Sequence, residues 1–120
     1  ENSFGTPLGL HSAEEKVGEG EPIGTVFKGR VSQGYTYEET SDKEKSTNLI
    51  TTRIIRLKGL ESCKNLGDPN DTYNRHIYIH GTNQEKNLGH PFSNGCIELS
   101  NEDCLELFSL VKLGDHIWIG

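Results

Sequence analysis

Two side chains in this sequence have the chemistry of a nucleophile and a base. Cys96 ends the stretch 93–96 (SNGC), and His80 stands with Gly81 at the end of an apolar run. A cysteine attacks a carbonyl when its thiolate is populated and exposed, and a neighbouring imidazole can take the thiol proton. Gly95 would allow a tight turn whose backbone N–H groups receive an oxyanion. The pattern is compatible with a nucleophilic Cys96 that has His80 as its base.

Two other interpretations fit the same side chains. A cysteine in a β-rich protein is often a small buried hydrophobe, and a histidine on a strand is often an ordinary hydrogen-bonded residue. A metal site would draw on His76, His80, His90 and Cys96, but positions 76 and 80 of one strand lie about 13 Å apart. The sequence has no CxxC or HExxH motif. Spacing alone keeps all three interpretations open.

The segments around these residues have the pattern of strands. Alternation in the run RHIYIHG predicts two faces, with His76, Tyr78 and His80 on one and Ile77 and Ile79 on the other. Alternation or β-branched content predicts further strands in the segments 23–31, 49–60 and 114–120, and a short strand or extended arm around 6–11. Many glycines between short apolar runs also favour a strand-and-turn protein.

One helix is predicted shortly after Cys96. Ser100 is a suitable N-cap, with Asp103 at the third helical position. Apolar residues then recur at helical spacing, at Cys104, Leu107, Phe108 and Val111. We therefore expect Cys104 in the core. Cys63 lies in a polar, turn-rich segment, and a Cys63–Cys104 disulfide is compatible with the odd count of 3 cysteines.

The composition describes one small domain. The chain has 120 residues with a formal net charge of −6, which argues against a nucleic-acid partner. No apolar run is long enough to cross a membrane, and the first residues do not have the pattern of a signal peptide. The polar segment 32–48 is predicted to be a mobile surface loop or hairpin tip, with a functional lid as the alternative.

Together these segments resemble the L,D-transpeptidase catalytic domain family, which has the YkuD-type fold. The likeness runs from about Ser3 to the end of the chain and includes the pieces SFGTPLGLH, GTVFKGR and ITTRIIRLKGLE. Its most specific part is a His-Gly pair at a strand end, followed by a loop and by Ser/Thr-His-Gly-Cys with an aliphatic residue, matched here by His80, Gly81, Ser93, Gly95, Cys96 and Ile97. The resemblance implies a mainly β fold, a β-sandwich or open barrel, with one α-helix in the C-terminal half.

Carried over to this sequence, the resemblance implies a role for each matched residue. Cys96 would be the nucleophile and His80 its base, and the backbone carbonyl of Gly81 would orient the imidazole as the third member of a triad. The residues before the cysteine would contact the substrate and contribute to the oxyanion hole: Ser93, Asn94 and Gly95.

The implied reaction is acyl transfer on peptidoglycan stem peptides. The thiolate would attack the carbonyl of the third stem residue and expel the terminal D-alanine, and an amine of a second stem would take the acyl group to give a 3→3 cross-link. Water as acceptor would trim the stem, and some relatives attach a lipoprotein lysine. The resemblance further implies carbapenems as inhibitors, no metal or organic cofactor, and a location in the periplasm or cell wall.

Four features depart from the family pattern. Asn94 stands where the motif has histidine, Glu98 where it usually has arginine, and His90 is an additional histidine in the same loop. Family domains usually carry further strands before the GTPLG segment, so we expect a domain that lacks its N-terminal strands. A catalytically silent peptidoglycan-binding module is the alternative function, although the presence of both Cys96 and His80 favours an enzyme.

Overall fold

Strands dominate the secondary structure. The computed structural model describes residues 9–61, 65–66, 71–73, 77–88 and 96–119. Within them the strands are β1 (Gly9–Val17), β2 (Thr25–Lys28), β3 (Val31–Thr36), β4 (Ile50–Gly59), β5 (Tyr78–Thr82), β6 (Ile97–Leu99) and β7 (His116–Ile119). The helices are α1 (Asp42–Lys45) and α2 (Asn101–Leu110), with 3₁₀ turns at Tyr37–Glu39 and Glu85–Asn87. The predicted mainly β fold with a helix in the C-terminal half is confirmed.

The seven strands of the described residues form one sheet around β4. The main strand order is β3-β2-β4-β1-β7, so β4 pairs with both β2 and β1. β4 also pairs with β5, and β5 pairs with β6. The pairs are antiparallel except for β5 and β6, which are parallel. β6 therefore runs in the same direction as β5, and Cys96 directly precedes it.

A bulge bends β4 at the point where it changes partners. Thr51 pairs with Gly81 and Ile54 pairs with His80, so the two intervening residues have no counterpart on β5. Thr52 is one of these two residues, and its backbone is in the left-handed region with a φ of 73°. Bulges bend a strand and increase its twist, and they are frequent next to functional sites. Here the bulge lies opposite the junction between His80 and Gly81.

Both faces of the sheet carry an apolar cluster. One face packs against α2 in a cluster that contains Ile55, Ile77, Ile79, Phe108 and Val111. The other carries a smaller cluster of Phe27, Ile54 and Tyr78, against which Cys96 is partly buried. The alternation predicted for Tyr78 and His80 against Ile77 and Ile79 is therefore present, and His76 lies outside the described residues.

Helix α2 begins and packs as predicted. The Ser100 side chain accepts a hydrogen bond from the Asp103 backbone N–H, which satisfies a free donor of the first turn. Cys104, Phe108 and Val111 are buried, so the helical spacing correctly identified the face that covers the sheet. In the described part of the chain, neither helix is long and apolar enough to cross a membrane.

Two segments contain more regular structure than the sequence predicted. β1 extends over nine residues, whereas only a short strand or arm was expected around 6–11. Its alternation is obscured because the register shifts between Ala13 and Glu15. The segment 32–48, predicted to be a loop, holds most of β3, a 3₁₀ turn and α1. These elements have no fully buried residue, so the surface position agrees with the prediction, and mobility stays a prediction.

Candidate active site

The parallel pairing of β5 with β6 brings the two predicted catalytic residues onto neighbouring strands. Ile79 pairs with Ile97 and His80 pairs with Glu98. Cys96 directly precedes β6, and this register places it level with Tyr78. Residues two apart on a strand face the same side, so the segments direct His80, Cys96 and Glu98 toward one face of the sheet. His80 was expected at the end of its strand, but it lies in the middle of β5, and Cys96 precedes the strand that pairs with it.

The thiol of Cys96 lies at the edge of an apolar cluster and is half-buried. The backbone N–H of Tyr78 donates a hydrogen bond to its Sγ over 3.3 Å. An N–H donor directed at sulfur favours the anionic thiolate, which is the nucleophilic form. The side chain is neither fully buried, as that of Cys104 is, nor fully exposed, and the catalytic role of Cys96 stays a prediction.

The imidazole of His80 is buried and held in one orientation. Its Nδ1 lies 2.5 Å from the Gly81 carbonyl oxygen, which is the contact that the family resemblance implies. Since a carbonyl can only accept, Nδ1 carries the proton, and Nε2 of the neutral ring is the acceptor. Desolvation lowers the pKa of His80, and the hydrogen bond to Gly81 partly opposes this. The ring is enclosed by protein and does not lie at an open rim, since His80 is only 2% exposed.

Gly81 occupies a position with no room for a side chain. A Cβ there would lie 2.8 Å from Asn101 Oδ1 and 2.9 Å from the Thr51 carbonyl oxygen. Such distances are shorter than any normal contact, so glycine allows β4 and the first residue of α2 to approach β5 closely. The carbonyl that orients His80 is therefore held by packing on both sides.

Asn101 joins the elements around this glycine. Its Oδ1 accepts from the hydroxyls of Thr51, at 2.5 Å, and Thr52. Its Nδ2 donates to the Thr82 carbonyl at 3.0 Å and to Glu85 Oε2 at 2.8 Å. The buried amide thus connects the β4 bulge, the end of β5 and the start of α2. This residue was not predicted from the sequence, because an asparagine beside an N-cap has no distinctive pattern.

Glu98 is buried beside the imidazole. Its side chain is 5% exposed, and its Oε2 lies 3.7 Å from His80 Nε2. Asn48 Nδ2 donates to the same oxygen over 2.5 Å, while Oε1 has no hydrogen-bond partner among the described residues. Burial raises the pKa of Glu98, partly opposed by the hydrogen bond from Asn48. The sequence identified Glu98 as a departure from the family motif but did not predict its contact with His80.

The remaining predicted site residues lie outside the described residues. These are Ser93, Asn94 and Gly95, the proposed oxyanion and substrate contacts, together with His76, His90 and Cys63. Cys104, by contrast, is a free thiol that is 1% exposed, so it does not form the disulfide with Cys63 that the sequence allowed. Desolvation raises the pKa of the Cys104 thiol to about 11, which makes it a poor nucleophile.

The described residues contain no group of three histidine, cysteine, aspartate or glutamate side chains that could hold a metal ion. A cavity of about 240 Å³ is lined by Tyr37, Glu85 and Asn101 among others, but not by His80, Cys96 or Glu98.

Comparison with known proteins gives one family model and several relatives. The family model of the L,D-transpeptidase catalytic domain (YkuD) matches residues 1–119. Two relatives of Bacillus subtilis (strain 168) have provisional L,D-transpeptidase names. YqjB is 38% identical over 52 residues, 43% of this chain and 30% of that protein. YkuD is 38% identical over 61 residues, 47% of this chain and 37% of that protein.

A third relative, the YkuD of Bacillus licheniformis, also has a provisional L,D-transpeptidase name. It is 44% identical over 45 residues, 38% of this chain and 27% of that protein. The matched part spans about a third of the length of these curated relatives. No solved structure matches the chain at a significant level.

Proposed function

Because this chain belongs to the L,D-transpeptidase catalytic domain family, we propose that it catalyses acyl transfer on peptidoglycan stem peptides through Cys96. The observation that carries the proposal is the parallel β5–β6 pair. It places a half-buried thiol, with an N–H donor at its sulfur, beside the strand that holds His80. The Gly81 carbonyl fixes the imidazole with Nε2 free to accept a proton.

In the proposed reaction, Nε2 of His80 takes the proton from Cys96 Sγ, and the sulfur keeps the electron pair. The thiolate attacks the carbonyl of the third stem residue, with backbone N–H groups of residues 94–96 as donors to the oxyanion. The imidazolium then gives its proton to the departing D-alanine amine, which leaves a thioester on Cys96. An amine of a second stem would release the acyl group as a 3→3 cross-link, whereas water would trim the stem.

The catalytically silent binding module is not favoured. A module that only binds would not require Cys96 to be partly exposed with a hydrogen-bond donor at its sulfur, nor His80 to be held in a single tautomer. Peptidoglycan as substrate further implies that the domain works outside the cytoplasmic membrane, in the periplasm or cell wall.

A covalent inhibitor tests the thiol directly. Carbapenems present a strained carbonyl to an activated nucleophile, so incubation of the wild-type protein should add the mass of one carbapenem, measured on the intact protein. The adduct should be absent in Cys96→Ala and retained in the matched control Cys104→Ala, since the Cys104 thiol is buried with a pKa of about 11. An adduct that persists in Cys96→Ala, or no adduct with wild type, would refute the proposal.

Turnover of tetrapeptide stems would then separate the two acceptors. Release of D-alanine with formation of a dimer indicates transpeptidation, and release with a tripeptide product indicates trimming. Cys96→Ala should abolish both. D-alanine release that is unchanged in this variant would remove Cys96 from the mechanism.

A further inference from the structure

Glu98 and His80 form a buried pair within the site, and we propose that Glu98 is a positioning residue that stabilises the imidazolium formed when His80 takes the Cys96 proton. This inference rests on the proposed function of Cys96 and His80. It assigns a role to the residue at which this sequence carries a charge opposite to that of the arginine expected from the family motif.

The contact between the two side chains is built into the sheet. His80 and Glu98 are register partners on parallel strands, and Nε2 lies 3.7 Å from Oε2. Their side chains are 3% and 5% exposed, so water screens the interaction little. The amide of Asn48 donates to the same Oε2, which limits the rotation of the carboxylate and keeps it against the ring.

The hydrogen bond at Nδ1 determines which nitrogen of the neutral His80 ring carries the proton. Because Nδ1 donates its N–H to the Gly81 carbonyl, Nε2 of the neutral ring carries the lone pair and lies beside the carboxylate. A lone pair beside an ionised carboxylate is unfavourable, whereas an N–H⁺ beside it forms a buried ion pair. The carboxylate therefore favours the protonated ring, which is the state that His80 reaches after it accepts the thiol proton.

Several ionisable groups lie on the elements around His80. In the described residues they are Tyr78 on β5, Arg53, Arg56 and Lys58 on β4, Cys96 before β6, Glu98 on β6, and Glu102, Asp103, Cys104 and Glu106 on α2. The Arg56 guanidinium lies over the Tyr73 ring at 3.6 Å, and the Cys104 thiol donates to the Arg53 carbonyl. Glu98 is the acidic group within ion-pair distance of the imidazole.

The sign of the effect follows from the charges. Desolvation lowers the pKa of His80, and an adjacent carboxylate opposes that change. The support from Glu98 exists while its carboxyl is ionised and is lost as pH falls through its own pKa, which burial raises. In the acyl-transfer step the proton passes from Sγ to Nε2, Glu98 stays ionised, and the imidazolium later protonates the leaving amine. The carboxylate exchanges no atoms with the substrate.

The test is a titration of the His80 ring by NMR in Cys96→Ser protein, with and without Glu98→Gln. An opposite charge within about 4–6 Å shifts a pKa by about 1–3 units, so Glu98→Gln should lower the His80 pKa by at least about one unit. In protein that retains Cys96, Glu98→Gln should slow the alkylation of Cys96 by iodoacetamide at pH 7 by about tenfold. The reason is that fewer molecules hold the thiolate–imidazolium pair.

Two further variants serve as controls for position and for charge. Glu106→Gln makes the same substitution at an exposed position of α2. It should leave the His80 pKa and the rate of Cys96 alkylation unchanged. Glu98→Asp keeps the charge, and its His80 pKa should lie closer to wild type than that of Glu98→Gln, even if the glutamine variant folds poorly. Equal His80 pKa values in the wild-type, Glu98→Asp and Glu98→Gln proteins would overturn the proposal.

The outcome is separable from that of the proposed function. A carbapenem adduct on Cys96 with no effect of Glu98 on the His80 titration would support the enzyme and overturn the role of Glu98. A lowered His80 pKa in Glu98→Gln, with no adduct on wild type, would support the charge pair and overturn the catalytic function.

Discussion

Replacing Asn101 by alanine tests whether the site is held by the amide that joins three elements. The side chain is buried at 4% exposure. Alanine removes the acceptor of the Thr51 and Thr52 hydroxyls and the donor to the Thr82 carbonyl and the Glu85 carboxylate. Glu85 still accepts from the Asn101 backbone N–H at 2.6 Å, so that carboxylate keeps a partner.

The magnitude comes from the buried groups left unpaired. A buried polar group that loses its partner costs about 1–3 kcal/mol, but losses within one network are not additive. We therefore expect Asn101→Ala to reduce the free energy of unfolding by about 3 kcal/mol, which for a domain of this size lowers Tm by roughly 10 °C. The His80 orientation should loosen as well, because the Gly81 carbonyl loses the packing on one side.

Thermal unfolding followed by circular dichroism measures the effect. Asn101→Asp is the discriminating variant, since it keeps the shape but replaces the amide donor by an oxygen that faces the Thr82 carbonyl and Glu85. It should also lose stability at neutral pH. Gln33→Ala removes an amide that donates to the Val31 carbonyl at an exposed place and should change Tm little. If Asn101→Ala and Gln33→Ala unfold at the same temperature, the Asn101 network does not hold the site.

Two further substitutions test buried contacts at Gly81 and at His11. Gly81→Ala would place a Cβ 2.8 Å from Asn101 Oδ1 and 2.9 Å from the Thr51 carbonyl, and overpacking of this kind costs about 1–3 kcal/mol; denaturant unfolding should show the loss, and an unchanged midpoint would contradict the contact. His11 is buried, its Nε2 lies 3.0 Å from the Thr72 hydroxyl, and desolvation lowers its pKa below the ordinary 6.5. The unfolded state therefore binds the proton first, so the stability that wild type holds over His11→Gln should be full above about pH 7 and shrink as pH falls toward 5; a difference that is constant with pH would refute this.

Much of the fold could be predicted from local patterns. Alternation and β-branched residues identified β4 and β5, and the Ser100 cap with its apolar spacing identified α2 and the burial of Cys104. These signals depend on neighbours within a few residues, which the sequence shows directly. β1 was underestimated because a bulge between Ala13 and Glu15 breaks its alternation, and the strand in 31–36 was missed because neither of its faces is buried.

The features of the candidate site also fall into those that local patterns predicted and those that they did not. The sequence identified Cys96, His80 and Gly81 as candidates, because a motif with a glycine before a cysteine and a histidine at a strand end is read within short segments. It did not identify the donor at Sγ, the amide of Asn101 or the partner of Glu98. Each of these contacts joins positions 16 to 50 residues apart in the chain.

Periodicity, capping and residue type are local properties, and they were enough to predict β4, β5, α2 and the side chains that can do chemistry. The parallel pairing of β5 with β6, the position of His80 opposite Glu98 and the burial of the imidazole depend on the folded chain. A shift of one residue in that register would turn Cys96 and Glu98 to the other face of the sheet. Strand register is set by the packing of distant segments, so no local pattern contains it.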